Sequence, residues 1–154
     1  MRDDDQVIPR IVAFLDRIGI PVLAEPVEKG TSIPGAKVRD GALVYDPALP
    51  CPGDLLHEAG HIAVSDPATR STLGEVEDTP AEEMAALAWS YAAALAAGVD
   101  PALVFHPFGY KGQSAQILAS FEAGGGIGVP MLQLWGMTTA RGSDPFPAMA
   151  RWLR

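Results

Sequence analysis

"DLLHEAGHIAV" (residues 54–64) holds two of the chain's three histidines, four residues apart, with a glutamate directly after the first. In an α-helix a four-residue step comes back to within about 40° of its start, one turn higher. His57 and His61 then share one edge of the helix, where two imidazole nitrogens can reach one ion at about 2 Å. Glu58 lies about 60° around from His61. There it flanks the ion and can take a proton from an activated water, the role of a general base. The opposite face carries Leu56, Ala59, Gly60 and Ala63. These are small or apolar, and Gly60 admits a second backbone. The stretch therefore reads as a helix buried on one side whose polar edge lines a cleft, and the rest of the chain is read as its support.

Composition is consistent with such a support. The chain has 154 residues, 48% hydrophobic and 19% charged. That indicates a folded chain of one domain, residues 1–154, with a real core. A formal net charge of −8, with 11 basic residues scattered singly, argues against nucleic acid as a partner. One cysteine, Cys51, excludes an internal disulfide framework and favours a reducing setting. The opening "MRDDDQVIPR" lacks the basic-then-apolar design of a signal peptide. The apolar run Met84 to Val99 falls short of the roughly 20 residues of a membrane span and reads as a buried helix. The expectation is a soluble, cytoplasmic protein without a membrane partner.

Outward from the motif, the elements follow from local signals. "DDQVIPRIVAFLDRIGI" puts Val7, Ile11, Phe14 and Leu15 on one helical face. "PVLAEPV" reads as a short strand ending at Pro26. "AKVRDGALVYD" is two extended runs about Asp40-Gly41, a strong hairpin signal. A Pro-rich connector leads to the motif helix, which should stop near Asp66-Pro67. A long Ala-rich helix is expected from about Pro80 to Ala97, then short helices joined by tight turns. "FEAGGGIGVPMLQLWGM" has no Gly-Lys-Ser/Thr and no preceding strand, so its glycines end a helix and Pro130 opens the next. That apolar end and "FPAMARWLR" either close the core or present a partner surface.

Two histidines need a third protein ligand, with a fourth position open for water. Val64 and Pro67 exclude the metzincin extension. "DTPAEEMAALAWSYAAAL" offers Glu82 and Glu83. Thr79 suits the N-cap and Pro80 the first helical position, so Glu82 falls where a capping-box carboxylate reaches back to the Thr79 amide. Glu83 has no such duty and heads a face of Ala86, Leu87, Ser90 and Ala94, small enough to press against the motif helix. Glu83 is the favoured third ligand. Glu82 and the acids of "GEVED" stay open as alternatives, and both Glu82 and Glu83 also complement the helix dipole.

"HEAGH" followed by "EEMAALAWSYAAAL" resembles the ImmA/IrrE-type metallopeptidases, minimal gluzincins whose downstream helix supplies the third zinc ligand. The resemblance spans residues 40 to 97; Ala85 stands where that family usually has Asn or Asp. It implies His57, His61 and Glu83 as zinc ligands and Glu58 as base. With the element pattern it implies an α+β, zincin-like domain, a small antiparallel sheet packed beside the motif helix and the Ala-rich helix. The expected function is a zinc-dependent metallopeptidase acting on a protein or peptide substrate, with "ALVYD" offered as an edge for an extended peptide. The alternatives are a non-catalytic metal-binding or protein-interaction module on the same scaffold, and a hydrolase of a small amide.

"VFHPFGYKG" brings His106, Tyr110 and Lys111 in a Gly/Pro loop that can fold over the cleft. Tyr110 is the favoured transition-state donor, with His106 behind it; His106 is also a less favoured substitute for Glu83 as ligand. Cys51, six residues before His57, reads as a buried small residue off the motif face and not as a nucleophile.

Overall fold

The structure is a computed structural model that describes residues 3–74, 79–124, 126–139 and 145–154. A 3-10 turn leads into α1 (Val7–Ile18), which ends on Gly19 in the left-handed conformation. Val7, Ile11, Phe14 and Leu15 are its buried residues, as the spacing predicts. Then come β1 (Val22–Ala24), β2 (Ala36–Arg39) and β3 (Ala42–Tyr45). The hairpin turns on Asp40 and Gly41, both with positive φ (51° and 74°), the geometry that Asp-Gly favours in a two-residue loop.

The sheet is mixed, not antiparallel. Its order is β1-β3-β2, with β2 antiparallel to β3 and β1 parallel to it. The connection across residues 25–35 carries the chain past β3, so β2 returns on the far side and leaves the near edge of β3 to β1. Pro21 and Tyr45 carbonyls accept from Leu43 and Glu25 amides along that edge, at 2.9 and 3.0 Å. One consequence overturns an expectation. β3, the strand of "ALVYD", is central and has both edges paired, so it offers no edge to a peptide.

Two helices carry the site. The motif helix, α2 (Asp54–Val64), stops at Ser65, just before Asp66-Pro67. The Ala-rich helix, α3 (Pro80–Ala97), starts on the Thr79 cap and ends on left-handed Gly98. Ala85 to Ala94 are all buried, so this run is core, and no helix among the described residues is long and apolar enough to cross a membrane. α4 (Ser114–Glu122) and α5 (Val129–Leu134) follow, with Gly124 and Gly128 at positive φ between them.

The core gathers around Trp89 on α3, which is fully buried. Phe14 and Trp152 pack on it at 6.2 and 5.8 Å between ring centroids, and its indole N–H donates to the Trp152 carbonyl at 2.9 Å. The end of the chain thereby closes the core: its "FPAMARWLR" piece is irregular, and the Arg154 amide donates to Ala63 O at 2.9 Å, at the close of α2. α5 does the same, with Leu132 buried and Met137 after it.

Candidate metal centre

α2 and α3 approach at Gly60. A Cβ there would lie 3.0 Å from the Ala86 carbonyl oxygen and 3.3 Å from the Ala86 Cβ. Glu83 is three residues before Ala86, on the same ridge of α3, so this close approach carries its carboxylate to the histidine edge of α2.

Four ligand atoms from three residues meet there. His57 Nε2 and His61 Nε2 are 3.0 Å apart; Glu83 Oε1 is 3.4 Å from the first and Oε2 is 3.3 Å from the second. Donors about 2.05 Å from a tetrahedral ion are about 3.3 Å from one another. Each of these separations is close to that length, and one ligand atom from each residue lies within 4.8 Å of the other two, so the donor set of this triangle of residues fits that ion.

Protonation agrees with this. Burial pushes His57 down to about 3, with the neighbouring His61 and His106 adding to the effect, and burial pushes His61 down to about 4. Both rings are thus neutral near pH 7 and keep a lone pair for a cation. Burial also holds Glu83 above the usual carboxylate range, although its side chain is 44% exposed. A cation at the triangle would relieve that cost.

Glu82 is accounted for at the helix start. Its amide donates to Thr79 Oγ1 at 3.2 Å, and the Thr79 hydroxyl donates to Glu82 Oε1 at 2.9 Å. The carboxylate returns to the hydroxyl, not to the Thr79 amide that the capping-box pattern predicts. The acids of "GEVED", residues 75 and 77–78, lie outside the described residues. Glu58 is buried on α2 at 8% exposure.

The loop after α3 lines the cleft, as expected, but it does different work. The Tyr110 hydroxyl is 3.2 Å from His57 Nδ1, the ring nitrogen that faces away from the triangle. When Nε2 serves as ligand, Nδ1 carries the proton and donates to this hydroxyl, which fixes the tautomer and the ring plane. In that arrangement Tyr110 positions the His57 ring. His106 does not join the triangle: its Nε2 pairs with Asp54 Oδ1 at 2.6 Å, and its Nδ1 accepts from the Phe108 amide at 3.2 Å. Both nitrogens are engaged, so it offers no donor to a reacting oxygen.

Cys51 differs from expectation as well. It is half-buried, lines the cleft, and stands with Asp54 and His106. Burial raises its thiol, and the Asp54 carboxylate adds to that, which disfavours a thiolate nucleophile. Asp54, which lines the cleft and pairs with His106, is the residue of this region that the sequence reading did not single out. The available signal was its position three residues before His57, on the same side of α2.

The cleft has a volume of about 650 Å3 and is bounded by Ile33 and Pro34 before β2, by His57 and Glu83, and by the loop carrying Phe108 and Tyr110. No family model, no curated protein and no solved structure matches the chain.

Proposed function

We propose that the chain is a zinc-dependent metallopeptidase of zincin-like architecture, with His57, His61 and Glu83 as ligands and Glu58 as general base. The observation that carries this reading is the convergence of two neutral histidines and one carboxylate from two packed helices, with the Nε2 atoms 3.0 Å apart and each within 3.4 Å of a Glu83 oxygen. When bound, zinc would supply a Lewis acid that polarises the scissile carbonyl and lowers the pKa of water toward about 7. Glu58 follows His57 on the ligand-bearing helix; its carboxylate takes the proton of the attacking water and delivers it to the leaving amine. Tyr110 keeps His57 in the tautomer that leaves Nε2 without a proton. Phe108, 88% exposed at the rim, presents an apolar surface to a peptide side chain.

The test uses chelator-treated protein reloaded with zinc and an unfolded protein as substrate. Wild type should cleave it. Glu58→Gln should keep its zinc and lose activity by about 10²–10⁴-fold, the range of one general base. Equal inertness of both, with zinc bound, would leave a metal-binding module that does not hydrolyse.

A further inference from the structure

We propose that Cys51, Asp54 and His106 form a second site for a thiophilic divalent cation, zinc by the chemistry of its donors, on the wall of the same cleft. One ligand atom from each of the three lies within 4.8 Å of the other two. They share no residue with the His57/His61/Glu83 triangle, so the two sites stand or fall separately.

The cluster is held by the fold. Cys51 and Asp54 are joined across the turn that starts α2, where the Asp54 amide donates to the Cys51 carbonyl at 3.0 Å. Gly53 brings in the third partner. A Cβ there would fall 2.0 Å from the Leu103 carbonyl oxygen, so only glycine lets the chain before His106 lie against the head of α2. Ser114 Oγ donates to the His106 carbonyl at 2.6 Å and fixes that residue's backbone.

Charge and donor type point to a cation. Asp54 is buried at 8% exposure beside a half-buried thiol, and that carboxylate disfavours the thiolate. A dication reverses this. One carboxylate, one thiolate and a neutral imidazole would balance its charge, and thiolate with imidazole is a donor pair suited to zinc. A cysteine nucleophile is the poorer reading, because His106 has Nε2 on Asp54 and Nδ1 on the Phe108 amide, with no lone pair for the thiol. The Phe108 amide donates to Nδ1, so the ring proton lies on Nε2, between His106 and Asp54. A cation at Nε2 takes that proton's place and moves the ring proton to Nδ1. The Phe108 amide, on a highly exposed residue, then turns to water. The three ligands open on the cleft, which leaves a position for water or a substrate group.

Cobalt(II) titration of the chelator-treated full chain reads the two sites apart, since only the second contains sulfur. The expected result is two equivalents per chain, with the near-ultraviolet thiolate-to-cobalt charge-transfer band present. His61→Ala should lose one equivalent and keep the band. Cys51→Ser should keep one equivalent and lose the band, and His106→Gln should lose that same equivalent with the cysteine intact. Circular dichroism and a thermal melt check that each variant folds. A wild type without the band overturns the proposal. So does a band that vanishes in His61→Ala, which would make Cys51 part of a single site.

Discussion

Tyr110 and His57 meet edge to face, with the phenol oxygen 3.2 Å from Nδ1, the rings 5.5 Å apart between centroids and their planes at 82°. The loop pays for this contact in backbone strain: Tyr110 and Lys111 take φ of 56° and 53°, and Gly112 follows at 80°. Non-glycine residues in the left-handed region cost roughly 1–2 kcal/mol each, which is tolerated where the geometry serves a site.

Tyr110→Phe keeps the ring packing and removes the hydroxyl that orients His57. Zinc affinity of the His57/His61/Glu83 site should fall by about 10–100-fold, the usual cost of an outer-shell partner. Competition with a calibrated chelator measures it. An unchanged affinity would mean that packing alone holds the ring.

Glu83→Ala and Glu82→Ala should separate ligand from cap. The first should lose more affinity than the roughly 10–100-fold of an outer-shell change, with the fold intact. The second should leave zinc affinity unchanged and lower stability by about 0.5 kcal/mol, through loss of a favourable charge in the first turn of α3. Chelator competition and denaturant titration on both variants decide which acid does which.

Gly60→Val places branched carbon where even a Cβ comes 3.0 Å from Ala86 O. Overpacking of this kind costs about 1–3 kcal/mol. Because α2 and α3 must move apart to relieve it, zinc affinity should fall together with the denaturation midpoint. Loss of stability with full affinity would show that the helices yield elsewhere.

Metal-free protein should lose stability on mild acidification. His57 and His61 are pushed from an ordinary 6.5 to about 3 and about 4. Between those values the unfolded chain binds protons that the folded chain refuses, so stability is full above about pH 6.5 and falls as pH drops toward 4. Each histidine contributes at most about 1.4 kcal/mol per pH unit. Asp54 and Glu83, both raised by burial, act in the opposite sense. Thermal midpoints of wild type and His61→Gln across this window test it; the variant's acid limb should be the flatter.

Local order in the chain made most of the elements legible. The Asp40-Gly41 turn, the Thr79 cap with Pro80 after it, the glycine ends of α1 and α3, and the alternation that buries Val7, Ile11, Phe14 and Leu15 all arise from interactions within a few residues, so sequence alone determined them. It also determined that His57 and His61 share an edge of α2, because helical pitch fixes that relation. Which acid would meet them was narrowed by capping, since Thr79 engages Glu82 and leaves Glu83. Contacts between segments far apart in the chain were decided only by the tertiary structure. β1 lies parallel to β3 because of where the crossing over residues 25–35 returns, which no local preference encodes. Asp54, Cys51 and His106 are neighbours because Gly53 lets Leu103 come close, and Tyr110 meets His57 across 53 residues of chain. Hydrogen bonds and packing at such separations depend on how whole elements dock, and side-chain spacing along the sequence carries no record of that docking.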